Sequence, residues 1–333
     1  MYFLETAILL FLGAFLLTYF TIPKIIGVVE HKKLMDNPNE RSSHKKVTPT
    51  LGGISFFYCL IIAIFFLKDK DLHNEAIYLI PGLTILFIVG LKDDLVVLSP
   101  LTKLAAQVLA VSFVLASDSF VITSLHGFLN INEIPYFLYL LIGGFLMITI
   151  INAYNLIDGI DGLAAMVGVV ILMLYTTIFY MSNEYFYALL CIVLNACLIA
   201  FLGYNLSSTR KIFMGDTGSL IVGFMIAMFT LKFLALKPTS YKQLPFLLEN
   251  APLVAIGILI VPLFDTARVF TLRIVNKRGP FSPDRNHTHH ILVDYLNLSH
   301  QQASFIIASF NFIFVVLLIV LGSTSNNLWM IIA

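Results

Sequence analysis

Four polar groups interrupt an otherwise apolar chain. They are Asp93-Asp94, the series Asn152, Asn155, Asp158 and Asp161, Asp216 within Phe213-Met214-Gly215-Asp216-Thr217-Gly218-Ser219, and His287-Thr288-His289-His290. Carboxylates beside glycines suit a hard cation such as Mg²⁺, which takes one or two carboxylates and keeps room for phosphate oxygens and water. Imidazoles flanked by Lys277, Arg278 and Arg285 suit a diphosphate, a transition metal such as zinc, or a structural histidine network. Together the groups point to chemistry on a phosphate, where positioning and charge neutralisation matter more than covalent help.

Each group also has a plainer use. Adjacent Asp93 and Asp94 would point roughly 100° apart on a helix, so they are expected to serve two roles, one toward a ligand and one toward a structural partner. Carboxylates at a helix carboxyl end oppose the dipole, so something nearby should compensate them, or they are simply solvated. Asn152, Asn155, Asp158 and Asp161 recur every three residues and predict one slanted polar stripe. Gly159 and Gly162 follow the two aspartates and permit tight turns or close ligand approach. The 213–219 run opens a helix, where free amides form an anion site and Asp216 offers either a metal ligand or an N-cap. Arg41 and His44 in the first loop can reach the same anion as Arg285, and Asn205 is a further candidate substrate contact. Asp265 and Arg268, three apart within an apolar run, can neutralise each other on one helix face.

The elements that carry these groups are membrane helices. The 333 residues are 59% hydrophobic and 12% charged, against about 25% charged in an ordinary soluble domain. A helix crosses about 30 Å of hydrocarbon with roughly 20 residues. The expected spans are 4–28, 49–67, 76–92, 101–117, 134–151, 163–181, 185–204, 218–236, 251–274 and 302–322. This is an all-α polytopic fold of about ten transmembrane helices in a single domain, 1–333, with residues 328–333 as a possible stub of an eleventh. No basic region or cleavage site marks the first span as a signal peptide, so it is read as retained. Alternating sides gathers fifteen of the 20 Lys and Arg with all four polar groups. The positive-inside rule makes that side cytoplasmic and the amino terminus external. Cys59, Cys191 and Cys197 lie in spans and act as small apolar residues. No aromatic-basic interleaving suggests nucleic acid.

The ordered motifs resemble those of the polyprenyl-phosphate N-acetylhexosamine-1-phosphate transferases. The resemblance runs from Asp36-Asn37-Pro38, His44 and Pro49-Thr50-Leu51-Gly52-Gly53 through Lys92-Asp93-Asp94, Asn155 to Leu163 and 213–219 to His290. It implies that a lipid phosphate attacks the β-phosphorus of a UDP-sugar, releasing UMP. Asp216 is then a Mg²⁺ ligand, with Asp158 in the same nucleotide–metal pocket and Mn²⁺ a possible substitute. Asp93 would contact the lipid phosphate, with Asp94 assisting. Asn155 and Asp161 would line the nucleotide pocket, Asp161 nearer the uridine, and His287, His289 and His290 would bind or orient the diphosphate. The implied partners are a UDP-N-acetylhexosamine, undecaprenyl phosphate and membrane lipids in a bacterial cytoplasmic (inner) membrane, with a homodimer as candidate assembly.

The related phospho-N-acetylmuramoyl-pentapeptide transferases are the alternative. His287-Thr288-His289-His290 in place of three consecutive histidines, and Ile157 before Asp158 where those enzymes commonly carry Thr, lean toward the N-acetylhexosamine branch. A cation-coupled transporter is the competing class, but its sites usually lie near the midplane at broken helices.

Overall fold

The computed structural model describes residues 3–32, 35–36, 48–67, 73–277 and 287–324. Arg41, His44, Arg285 and the terminal 328–333 segment lie outside the described residues. In order the helices are α1 (Phe3–Lys32), α2 (Ile54–Phe66), α3 (His73–Leu95), α4 (Pro100–Leu115), α5 (Tyr136–Ile157), α6 (Leu163–Met181) and α7 (Tyr185–Asn205). There follow α8 (Gly215–Leu234), the single turn α9 (Pro238–Tyr241), α10 (Ala251–Ile258), α11 (Ile260–Val275), α12 (Thr288–Asp294) and α13 (His300–Gly322). One short antiparallel ribbon pairs Met35 with Pro49 and Asp36 with Thr48.

Among the described residues, seven helices are long and apolar enough to cross a bilayer, or eight if the bent pair of α10 and α11 is one span. The 13-residue α2 and 16-residue α4 are shorter apolar helices and occupy two of the segments expected to cross. The protein is an all-α, multi-pass membrane protein.

The expected span 251–274 is broken, with its halves meeting at 66°. Leu259 departs from helical backbone angles (φ −100°, ψ 11°), and Pro262 in the first turn of α11 brings no N–H for the Ile258 carbonyl. Asn311 of α13 donates its side-chain amide to the Ile258 carbonyl (3.3 Å), satisfying backbone that the break frees.

At the centre stands α8. It is apolar on every side and almost wholly buried, as a helix without a polar face must be. The peripheral helices α1 and α13 leave most of their apolar surface facing outward. Small residues let neighbours approach the amino end of α8. A Cβ at Gly53 would sit 2.1 Å from the Gly218 nitrogen, and one at Gly90 would sit 2.7 Å from the Thr217 Cα. Backbone-to-backbone contact of this kind is how small residues pack membrane helices. The consequence at α3 is direct, because Asp93 and Asp94 follow Gly90 by one turn.

Candidate functional site

Asp94 meets the amino end of α8. Its carboxylate accepts from the amides of Asp216 (2.7 Å) and Thr217 (3.0 Å) and from the Thr217 hydroxyl (2.5 Å). A carboxylate at the carboxyl end of α3 is thereby compensated by the amino end of another helix, where the dipole favours it. Gly215 makes room: its φ is +70°, and a Cβ there would lie 2.6 Å from an Asp94 oxygen. The helix end expected as an open phosphate site has two of its amides engaged by Asp94, because an internal anion has reached them first.

Asp93 turns the other way. One oxygen accepts from the Leu98 amide (2.5 Å) and the other pairs with the Lys103 ammonium (2.5 Å). Ser99 caps α4 by accepting from the Thr102 amide, with Pro100 in the first turn. Lys103 thus stands at the start of the helix, and its ammonium also reaches Asp216 (2.7 Å). The opposite Asp216 oxygen accepts from Asn155 (2.5 Å), whose amide also donates to Ser219 (2.7 Å).

The polar stripe expected from Asn152 to Asp161 does not persist. Helix α5 stops at Ile157, Asp158 takes a non-helical conformation, and Gly162 (φ +82°) reverses the chain into α6. The four side chains therefore part. Asn152 pairs reciprocally with Gln107 (2.7 and 3.2 Å), and Asn155 faces Asp216. Asp158, at the helix end, is surrounded by charge of its own sign: burial first, then Asp216, Asp94 and Asp161, push its carboxyl up to about 7. Asp161 faces Lys211 (2.5 Å) and His300 (3.2 Å). Burial would raise it, but the hydrogen bonds from His300 and Lys211 outweigh that and hold it below the usual carboxylate range. Asn205 is buried and committed to backbone, accepting from the Gly162 amide (2.6 Å) and donating to the Ile212 carbonyl (2.8 Å). It ties two loops together.

The histidines stand on the other side of the same turn. His289 lies so close over Gly159 that a Cβ there would meet its Nε2 at 2.4 Å. Burial, then the neighbouring His290, lowers His289 to about 3, so the ring is neutral. Its ring centroid is 4.4 Å from that of His290 and 5.4 Å from that of His287. Asp265, whose role the sequence left open, engages His287 and the Thr288 amide through its two oxygens. Asp265, His287 and His289 place one donor atom each within 4.8 Å of one another, a candidate metal-binding cluster.

Nothing in the order of residues marked Lys103, Gln107, Ser219, Lys211 or His300 as site neighbours. Ser99-Pro100 does mark where α4 starts, but only the fold brings Lys103 to Asp216. Beside the histidines an apolar cavity of about 450 Å³ runs between α5, α6, α11, α12 and α13. Its walls include Ile157, Leu163, Phe264 and Phe310, and Asp265, Thr288 and His289 are its polar lining.

Acidic centre and histidine cluster thus share one end of the bundle and are joined by the 158–162 turn. The donor set of the acidic centre, Asp158 amid Asp216, Asp94 and Asp161, is of the kind a hard cation takes, and a cation there would replace Lys103 or Asn155 on Asp216.

The glycosyl transferase family 4 profile matches residues 76–234. The probable undecaprenyl-phosphate N-acetylglucosaminyl 1-phosphate transferase of Bacillus subtilis is 31% identical over 322 residues, covering 94% of this chain and 85% of the relative. The undecaprenyl-phosphate alpha-N-acetylglucosaminyl 1-phosphate transferase of Escherichia coli K12 is 30% identical, covering 86% and 75%. Its Salmonella typhi counterpart is 32% identical, covering 78% and 69%. The chain belongs to glycosyl transferase family 4, in the undecaprenyl-phosphate N-acetylglucosaminyl 1-phosphate transferase branch.

Proposed function

We propose that this protein transfers a sugar 1-phosphate, N-acetylglucosamine 1-phosphate first among candidates, from a UDP-sugar to undecaprenyl phosphate. A lipid phosphate oxygen attacks the β-phosphorus, the bond to the α-phosphate oxygen breaks, and UMP leaves. The product is the lipid diphosphate sugar. The observation that carries this reading is the junction of an acidic centre, a histidine cluster and an apolar cavity at one bundle end. Such a junction suits a water-soluble diphosphate meeting a lipid acceptor.

Asp216 and Asp158 would hold Mg²⁺, with Mn²⁺ as substitute, and the bound ion would neutralise the donor diphosphate. Lys103, paired to Asp93 and Asp216, sets the carboxylates and adds positive charge where phosphates gather. Asp93 is buried in that pair, and a lipid phosphate already ionised at neutral pH needs little help from a base. Asp94 fixes the amino end of α8 so that Asp216 stands still. His289 and His290 contact the diphosphate from the side of the 158–162 turn, and the apolar cavity takes the first isoprene units of the acceptor. The gathering of fifteen of the 20 Lys and Arg supports a cytoplasmic site in a bacterial cytoplasmic membrane.

The test is UMP release by purified protein with undecaprenyl phosphate, Mg²⁺ and separate UDP-sugars. Turnover with UDP-N-acetylglucosamine is expected. Turnover confined to the UDP-muramoyl-pentapeptide, or substrate movement without UMP, would defeat the proposal.

A further inference from the structure

Asp265 has no part in the chemistry above, yet both its oxygens are engaged. Oδ2 lies 2.6 Å from Nδ1 of His287, and Oδ1 accepts from the Thr288 amide at 2.6 Å. Asp265 is 3% exposed, His287 7% and His289 2%. Burying a carboxylate is costly unless it is hydrogen-bonded, and here both donors come from the start of one short element. Helix α12 has seven residues, too few to be stable by itself. Its first turn is therefore held by what it docks on, and Asp265 of α11 is a principal anchor.

We propose that Asp265 is a positioning residue for the histidine motif. Its carboxylate holds the Nδ1 edge of His287 toward α11 and pins the first amide of α12. That contact sets the His287 ring, on which His289 stacks at 5.4 Å, and with it the His289 ring that lies against Gly159 of the 158–162 turn. The inference rests on the transferase reading, since it assumes that these rings act on the donor. Metal ligation is the rival use of the same three residues. The His287–Asp265 separation is a hydrogen-bond distance, and an ion bound through those same two atoms would have to displace that bond.

The test is a double-mutant cycle on kcat/KM for UDP-N-acetylglucosamine, with monodispersity in detergent as the folding control. Asp265→Ala and His287→Ala are each expected to lower kcat/KM about 10–100-fold, the usual cost of losing an orienting partner. The double variant should be no worse than His287→Ala, because Asp265 acts through that ring. Asp265→Asn should recover part of the loss: its carbonyl can still accept from Thr288, and its NH₂ can donate to Nδ1. Losses that multiply in the double variant would overturn the inference. So would an unaffected Asp265→Ala, or zinc that copurifies with wild type, is lost in both single variants and restores activity when added. If wild-type protein releases no UMP from any UDP-sugar, the transferase reading itself falls. The same cycle is then read in UDP-sugar binding by calorimetry, where absence of coupling overturns the positioning role as well.

Discussion

The Lys103 ammonium lies 2.7 Å from the Asp216 carboxylate and draws the start of α4 onto the amino end of α8. The same ammonium satisfies Asp93, so removing it leaves two carboxylates facing each other without a cation. Lys103→Met is expected to destabilise the protein by about 1.5–3 kcal/mol, the range for hydrogen bonds to charged groups. UMP release should fall even in folded protein. Thermal unfolding in detergent, beside turnover at saturating Mg²⁺, separates the two effects.

Asp216→Asn keeps the shape and the bond from Asn155 but removes the charge that a hard cation needs. Turnover is expected to drop by about 10²-fold or more, as when one preorganised electrostatic contact is lost. The thermal midpoint should fall less than in Lys103→Met, because Lys103 keeps Asp93 as its partner. Near-wild-type UMP release would remove Asp216 from the metal site.

Asp94 offers a contrasting case. Its carboxylate caps α8 with one oxygen on each amide, so Asp94→Asn, whose single carbonyl can accept from only one of them, should lose part of the cap and Asp94→Ala all of it. The alanine variant is expected to cost about 1–2 kcal/mol for the lost cap. Comparing unfolding midpoints of the two variants checks it, and equal losses would mean that charge rather than capping matters.

Gly159 is a steric claim. The nearest atoms to a new Cβ belong to the His289 ring, which cannot fold away as a flexible chain end would. Gly159→Ala should therefore displace α12 at a cost of about 1–3 kcal/mol, the range for overpacking, and reduce turnover. Gly203, whose Cβ would meet nothing within 4 Å, supplies the control substitution.

Asp161 gives a pH signature. Its carboxyl is held below the usual range in the folded protein, so the unfolded chain binds its proton first as acid is added. The stabilisation is complete above the unfolded value of about 3.9 and disappears as pH falls through the lower folded value. Asp161→Asn should cost about 1 kcal/mol at neutral pH, as a partly exposed ion pair does. It should also flatten the acid limb of stability against pH.

Much of this was legible before any coordinates. The apolar runs foretold the helices, and the four polar groups do meet at one end of the bundle. The split of Asp93 from Asp94 followed from helix geometry, although nothing in the sequence said that the partner of Asp94 would be the backbone of Asp216 and Thr217. The stripe from Asn152 to Asp161 misled, because its period of three continued across a turn where the helix did not. Lys103 read only as a topological charge, since a salt bridge across 113 positions leaves no local trace. The break at Leu259 had one signal, Pro262, but the apolar run around it looks the same whether it continues or bends.

The residue with the most to lose from a small displacement, Asp216, begins the helix that has the least freedom to move. Outer helices such as α1 and α13 can therefore be lengthened, tilted or resurfaced to suit a thicker or thinner bilayer while the reacting groups keep their alignment. Adaptation to lipid and fidelity of transfer are borne by different parts of the chain.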